Sequence, residues 1–349
     1  MTILAVTIFA IVTILEIAGR LSNERRPVMA VGLALAIPVL ALGLYEHGLL
    51  ALTLLVYWVA RWVRSLARRL ARDGLRRKSG EVVDERAVDQ PGWPMSGPIG
   101  RLGWGGIVAT WSASQLLVWL NPFQALEIFR QIAGNAALAE REERSGDDGR
   151  AYRTRAVYTL PFRGEWWLLN GGNTRKTSHS WDVLGQRFAL DFVQANEAFE
   201  RHTGRGTRPE QYFCYGQDIL AAADGTVVRL ESRVRQAFLG WGICDFTARS
   251  FVGNHVLIEH AEGEFALYAH LIRGSVTVAP GDRVERGQVL GRCGHTGHST
   301  EPHLHFHLQD SADLWGGMGL PVRFSGLVVD GEAVDEVLLT AGDRVRPRR

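Results

Sequence analysis

The stretch "EPHLHFHLQ" (residues 301–309) places three histidines at alternate positions: His303, His305 and His307. In a β-strand, successive side chains point to opposite faces, so the three imidazoles would share one face while the apolar residues between them faced a core. A solvated polar face would also fit this alternation, but histidine is too uncommon to make that the first interpretation. The stretch therefore predicts a strand with a row of nitrogen donors, spaced about 7 Å apart along it.

The sequence around this strand predicts further short strands. From Ala151 onward, period-two runs alternate with turn residues, as in "ILAAADGTVVRL" (219–230) and "NHVLIEHAEGEFALYAHL" (254–271). Many short strands with regular turn signals are typical of an antiparallel, sandwich-like β domain. Long helices do not alternate with these strands, which disfavours a doubly wound α/β fold.

Two more polar residues are candidates for a site with these histidines. Asp191 lies on a predicted strand, "QRFALDFV" (186–193), among apolar residues, and a buried carboxylate needs a partner. His270 ends the strand "ALYAHL" (266–271). An aspartate and several histidines on separate strands are suitable ligands for zinc, which in catalytic sites takes three protein ligands and leaves one position for water.

The sequence resembles the zinc peptidases related to lysostaphin, peptidase family M23, from about Tyr158 to Gln309. The motifs that carry the resemblance are "QRFALDFV", "DILAAADGTVV", "GNHVLIEH", "ALYAHL" and "VAPGDRVERGQVLGRCGHTGHSTEPHLHF", in the family's order. The resemblance implies a β-rich fold of the duplicated hybrid motif type, one zinc ion (Zn²⁺) per chain and cleavage of peptide bonds in bacterial peptidoglycan. It also implies that Asp191 and His305 bind zinc, and that His303 and His270 are catalytic.

One position departs from the family's pattern. Many relatives have their first zinc ligand four residues before the aspartate, and this chain has Arg187 there. A guanidinium group has no lone pair to offer a metal. We therefore predict that His179, in "TSHSWD" (177–182), reaches the metal from a loop. The alternatives are that His307 is the third ligand, or that His179 is a surface residue and the zinc site is incomplete.

The remaining histidines and the cysteines give weaker indications. His307 has no role in the family, and we interpret it, together with His295 and His298, as a residue at the rim of the site or behind its ligands. The chain has three cysteines, none in a CxxC pair, which argues against a thiolate zinc site. Cys214 and Cys244 could form a disulfide in an oxidising compartment, or remain as buried thiols.

The N-terminal third has a different composition. Four apolar segments carry few or no charges: 3–15, 28–45, 49–63 and 104–120. Because a membrane-spanning helix needs about 20 apolar residues, residues 1–120 are predicted to form a membrane domain of three to four transmembrane α-helices with a basic cytoplasmic loop at 61–103. The alternative is that these segments are buried helices of a soluble domain.

The distribution of positive charge predicts the orientation. Basic residues follow the first and third segments, so the positive-inside rule places both of these loops in the cytoplasm. A fourth span at Trp104 to Leu120 would then carry the rest of the chain outside. The predicted location is the cell membrane, with an amphipathic helix and linker at 121–150 and an extracytoplasmic peptidase domain at 151–349.

The sequence leaves three hypotheses for function. The first is a zinc endopeptidase of the cell wall, whose partners are peptidoglycan and the lipid bilayer. The second is a catalytically inactive M23-like domain that binds and activates another wall hydrolase. The third is a phosphocarrier domain with a similar hybrid fold. The retained residues Asp191, His270, His303 and His305 favour the enzyme. The net charge of +2 gives no indication of nucleic-acid binding.

Overall fold

The computed structural model describes residues 97–237 and 242–348 of the chain. These residues lie in one compact unit, Val88–Arg349. The described part contains two α-helices, three short 3-10 helices and thirteen strands. In chain order, these elements are a 3-10 helix (Gly97–Arg101), α1 (Gly103–Leu120), α2 (Pro122–Ser145), β1 (Trp166–Asn170), a 3-10 helix (Leu184–Gln186), β2 (Leu190–Val193), a 3-10 helix (Pro209–Gln211), β3 (Asp218–Leu220), β4 (Gly225–Glu231), β5 (Asn254–Ala261), β6 (Glu264–Leu271), β7 (Arg283–Val284), β8 (Val289–Arg292), β9 (Leu304–Gln309), β10 (Gly319–Leu320), β11 (Arg323–Val329), β12 (Glu332–Leu338) and β13 (Arg344–Pro347).

Eleven of the strands form one sheet in the order β12-β11-β13-β1-β2-β9-β6-β5-β4-β7, with β10 paired to β9 off this path. Strands β3 and β8 form a separate pair. Neighbouring strands in both sheets are antiparallel, which confirms the predicted mostly antiparallel β domain. The arrangement differs from the sandwich-like expectation because most strands join a single continuous sheet.

Strand β9 lies near the middle of this sheet, between β2 and β6. Its apolar side chains Leu304, Phe306 and Leu308 are fully buried in the main hydrophobic core, as the alternation predicted. Phe306 makes edge-on ring contact with Tyr268 of β6, at 5.1 Å between ring centroids. Burying side chains of this size stabilises the fold by about 1.5–3 kcal/mol each. The core thus fixes which face of β9 carries the histidines.

Helix α2 lies inside the segment 121–150, where the sequence predicted a helix. Asn121 caps its first turn by accepting a hydrogen bond from the Phe123 amide at 3.0 Å, and the helix ends at Gly146, whose φ of 69° suits glycine. The helix passes close to the β domain at Gly134, where an added Cβ would lie 1.9 Å from the Trp315 carbonyl oxygen. Four large apolar side chains of this predicted amphipathic helix are exposed instead of packed on the domain: Phe123, Leu126, Phe129 and Ile132.

The predicted transmembrane helices are not supported by the structure. Over residues 97–237 and 242–348, no helix is both long enough and apolar enough to cross a bilayer. The segment predicted as a fourth span forms α1, but Ser112, Ser114 and Gln115 dilute its apolar character and Ser114 is buried. This part of the predicted fold class is therefore wrong. The other three apolar segments (3–15, 28–45 and 49–63), and most of the proposed cytoplasmic loop, lie outside the described residues.

Candidate metal and catalytic site

Asp191 and His305 lie directly opposite each other on neighbouring strands. They are register partners in the β2–β9 pair, and both side chains are on the face turned away from the main core. The Nδ1 atom of His305 is 2.9 Å from Oδ1 of Asp191. Less than a tenth of each residue is exposed. Two strand positions that the sequence proposed as ligands therefore meet in the structure.

His303 and His270 aim their rings at the same place. The Nε2 atom of His303 is 3.6 Å from Oδ1 of Asp191, and its ring centroid is 4.8 Å from that of His270. The Nδ1 atom of His303 lies 2.8 Å from the Glu301 carbonyl, and that of His270 lies 2.8 Å from the Thr296 carbonyl. A carbonyl can only accept, so each Nδ1 carries a hydrogen. In the neutral rings, both Nε2 atoms therefore keep their lone pairs.

The three histidines form a cluster that could hold a metal ion. One ring nitrogen from each of His270, His303 and His305 lies within 4.8 Å of the others. Burial, followed by the neighbouring His303 and His305, lowers the pKa of His270 well below its ordinary value. The His270 ring is therefore neutral near pH 7, and a neutral imidazole is the form that binds a metal.

The charge on Asp191 follows from its neighbours. Burial by itself raises the pKa of this carboxyl, but the nearby His179, His303 and His305 outweigh burial and hold the pKa well below its usual range. Asn170, on the adjacent strand β1, donates to Oδ2 of Asp191 at 3.2 Å. The sequence reasoning missed Asn170, because its strand position only gains meaning once β1 is paired with β2.

His179 also lies beside this carboxylate. Its Nε2 atom is 3.5 Å from Oδ2 of Asp191, and 38% of its side chain is exposed. Arg187, at the position where relatives carry a ligand, makes a two-pronged ion pair with Glu142 of α2, with nitrogen–oxygen distances of 3.0 and 3.2 Å. The structure thus brings together all five predicted site residues: His179, Asp191, His270, His303 and His305.

A chain of hydrogen bonds fixes the hydrogen on His305. The side-chain amide of Gln309 donates to the carbonyls of Ser311 and Asp313, so its oxygen accepts from Nε2 of His307 at 2.9 Å. His307 then has a bare Nδ1, which accepts from Nε2 of His305 at 2.9 Å. The sequence reasoning placed His307 at the rim or behind the ligands, and the structure buries it completely behind His305. It missed Gln309, although the alternation of the quoted stretch continues to that residue.

This hydrogen-bond chain tests whether a metal fits. It leaves the neutral His305 ring with a bare Nδ1 that faces a carboxylate oxygen at 2.9 Å. Two lone pairs at that distance repel each other unless a proton or a cation lies between them. Imidazole nitrogen and carboxylate oxygen are both ordinary zinc donors. The donor set therefore fits a zinc ion, held by His305 and Asp191 together with further histidines of the cluster.

The other histidines and the cysteines have contacts of their own. His295 is fully buried, with Nδ1 2.8 Å from the Ser299 hydroxyl. His298 stacks on Phe251 and contacts the Cys244 sulfur at 3.1 Å. The cysteines are free, so the possible Cys214–Cys244 disulfide is absent from the described residues.

Part of this domain is similar in sequence to known protein families. Residues 210–315 match the model of peptidase family M23. Among curated proteins, the cell division protein DipM of Caulobacter vibrioides is 34% identical over 134 residues, which cover 38% of this chain and 18% of DipM. The DD-carboxypeptidase/endopeptidase Mpg of Neisseria meningitidis is 41% identical over 87 residues, which cover 25% of this chain and 18% of Mpg. The peptidoglycan DD-endopeptidase ShyA of Vibrio cholerae is 41% identical over 58 residues, or 17% of this chain and 13% of ShyA. The chain thus spans less than a fifth of each of these relatives.

Solved structures give weaker similarity. A zinc-containing peptidase from Vibrio cholerae has a TM-score of 0.27 at 21% identity, over 52% of this chain and 39% of that one. The catalytic domain of lysostaphin from Staphylococcus simulans has a TM-score of 0.26 at 20% identity, over 45% of this chain and 88% of that one. By sequence, residues 210–315 of this chain are similar to peptidase family M23.

Proposed function

We propose that the chain is a zinc-dependent endopeptidase that cleaves peptide bonds in peptidoglycan. The observation that carries the proposal is the pair of Asp191 and His305 with the bare Nε2 atoms of His270 and His303 aimed at the same place. The names of the relatives ShyA and Mpg, which describe endopeptidases, support the reaction class. For ShyA, the name also states peptidoglycan as the substrate.

We assign the zinc to His179, Asp191 and His305. Nε2 of His179 and Nδ1 of His305 lie 3.5 Å and 2.9 Å from the two carboxylate oxygens of Asp191, and three protein ligands are what a catalytic zinc usually takes. When bound there, zinc would supply a Lewis acid that polarises the scissile carbonyl and lowers the pKa of water. The His307–Gln309 pair keeps the hydrogen of His305 on the nitrogen away from the metal.

His303 has the features of a general base. The Glu301 carbonyl holds the hydrogen on Nδ1, so the ring keeps a bare Nε2 on the side of Asp191. An imidazole in this state can accept a proton from the attacking water and return it to the leaving amine. Proton transfer of this kind contributes about 10² to 10⁴ in rate.

His270 supports the same proton movements. Its Nδ1 donates to the Thr296 carbonyl, and its lowered pKa leaves Nε2 bare near neutral pH. A bare nitrogen accepts a proton first, and only the protonated ring can donate to a developing oxyanion. We therefore assign His270 to proton relay, followed by stabilisation of negative charge on the substrate oxygen.

Digestion of purified peptidoglycan tests the proposed function. The purified chain with zinc should release fragments whose masses show addition of water across a peptide bond, with one new free amine and one new carboxyl group per cleavage. The His303→Ala variant should release none above background. Release of sugar fragments without new amines, or no release at all, would contradict the proposal.

A second candidate is an inactive domain that binds and activates another wall hydrolase. The observation that favours it is Arg187, which occupies a ligand position of the family and is held in an ion pair with Glu142. DipM, a relative named as a cell division protein and not as a peptidase, is consistent with it. Zinc content separates the two candidates, because an inactive domain with a lost ligand would retain little metal.

The proposed substrate also has a consequence for location. Peptidoglycan lies outside the cytoplasmic membrane, so we propose that residues 151–349 act on that side. Protease added to intact spheroplasts should then digest this region. Complete protection, with digestion only after lysis, would contradict an extracytoplasmic peptidase.

A further inference from the structure

We propose that helix α2 is a positioning element of the metal site: its residues Asn135 and Glu142 hold the segment 178–187, which carries His179. This inference rests on the proposed zinc site, with His179 as one ligand. Helix α2 lies outside the residues that match the M23 family.

Two side chains of α2 bind this segment directly. Asn135 uses both ends of its amide: the oxygen accepts from the Leu184 amide at 2.7 Å, and the nitrogen donates to the Asp182 carbonyl at 3.0 Å. About two turns further along the helix, Glu142 makes the buried ion pair with Arg187. A paired carboxylate and guanidinium form strong, directional hydrogen bonds.

Hydrogen bonds connect both sequence neighbours of His179 to the backbone at Arg187 and at the residue before it. The hydroxyl of Ser178 donates to the Arg187 carbonyl at 2.8 Å, and that of Ser180 donates to the Gln186 carbonyl at 2.6 Å. The guanidinium also donates to the Trp181 carbonyl at 3.3 Å. Ser178 is therefore bound to the backbone of Arg187, whose side chain pairs with Glu142 of α2. Ser180 is bound to the backbone of the residue before Arg187.

A ligand in this position needs such support. His179 is part of no strand in the described chain, and its side chain is more than a third exposed. A ligand on a mobile loop loses conformational freedom when the metal binds, which weakens binding. Arg187 cannot bind the metal, but in this structure it fixes the loop that presents the substitute ligand.

Zinc affinity of the full chain tests the inference, measured by competition with a chromophoric chelator. Asn135→Ala and Glu142→Gln should each weaken zinc binding about 10- to 100-fold, the usual cost of losing a residue that orients a ligand. Asn135→Ala leaves no buried charge and is the milder variant. The matched control is Gln124→Ala. Gln124 is also buried on α2, but it donates to the carbonyls of Asp245 and Ala248, away from the His179 segment. Its zinc affinity should be unchanged.

A double-variant comparison separates positioning from general stability. In a His179→Ala background, Asn135→Ala should have no further effect on zinc affinity, because the residue through which it acts is gone. An equal loss in that background, an equal loss for Gln124→Ala, or unchanged affinity for both Asn135→Ala and Glu142→Gln would overturn the inference. A wild-type chain that binds no zinc would instead overturn the proposed function.

Discussion

At the scale of single residues, the site is built from side chains whose hydrogens are fixed by neighbours. The Glu301 and Thr296 carbonyls orient His303 and His270, and Gln309 acts on His305 through His307. His303, His305 and His307 could be predicted because period-two alternation within one strand assigns them to one face, and Asp191 and His270 because each is a polar residue on an apolar predicted strand. Asn170 and Glu142 could not, because they reach the site through strand pairing and helix docking far away in sequence.

The assigned roles predict that His303→Ala and His305→Ala fail differently. Loss of His305 removes a ligand, so zinc affinity should fall strongly. Loss of His303 removes proton transfer, so zinc should stay bound while hydrolysis falls about 10²- to 10⁴-fold. Metal analysis and peptidoglycan digestion on the same samples check this. Equal metal loss in both variants would show that His303 is itself a ligand.

The hydrogen-bond chain behind His305 predicts an effect at Gln309. In Gln309→Leu, His307 loses the acceptor that holds its hydrogen on Nε2, so His305 is no longer held with Nδ1 bare. We expect zinc affinity to fall about 10- to 100-fold. The chelator competition assay measures it, with thermal unfolding as the control for folding. Unchanged affinity in a folded variant would mean that the chain does not orient the ligand.

At the scale of elements, local pattern predicted the strands better than the helices. Strands β5, β6 and β9 lie where alternation and turn residues placed them. Helix α1 was misread as a membrane span because absence of charge was given more weight than Ser112, Ser114 and Gln115. The sequence predicted that α2 is an amphipathic helix, but the residues that bind it to the β domain are polar and show no periodic pattern.

Glu264, at the start of β6, anchors residues 152–158, which precede the first strand of the β domain. Glu264 is fully buried, and its carboxylate accepts from the hydroxyls of Tyr152 and Tyr158 and from the backbone amides of Arg155 and Ala156. Burial, together with this carboxylate, raises the pKa of Tyr158, so the phenol remains a donor. One side chain thus satisfies four donors of the entering segment.

Glu264→Ala should therefore destabilise the fold. It leaves four donors without an acceptor, and we expect the free energy of unfolding to fall by about 3 kcal/mol, measured in urea. Glu262→Ala is the control, since its side chain makes an exposed ion pair with Arg155 and should matter little. Similar unfolding curves for both variants would show that the buried carboxylate does not anchor the segment.

At the scale of the whole molecule, the described residues form an antiparallel β domain with a helix fastened across it. Composition alone could separate this domain from the apolar N-terminal third. The sequence could predict His179 as a ligand, but not the contacts that place it beside Asp191, because these depend on how α2, the loop and the sheet meet. The long-range contacts, rather than any local motif, complete the site.

Buried histidines predict how global stability depends on pH. Burial lowers the pKa of His298 to about 4, from 6.5 in an unfolded chain. As pH falls below 6.5, the unfolded chain takes up this proton before the folded one does, so stability present above pH 6.5 is lost between pH 6.5 and 4. The loss from this residue amounts to about 3 kcal/mol.

The variant His298→Phe removes this proton and retains an aromatic ring beside Phe251. Urea unfolding at pH 7 and pH 4.5 should show a smaller loss of stability in the variant than in the wild-type chain. An identical loss in both would mean that other groups control the pH dependence.

The zinc content of the purified chain tests the central claim most directly. Protein prepared without chelator and dialysed against dilute zinc should contain about one zinc per chain, and the His305→Ala variant should contain almost none. This result would support a metal centre formed by His179, Asp191 and His305. A wild-type chain without zinc, or a His305→Ala variant that retains it, would contradict the account.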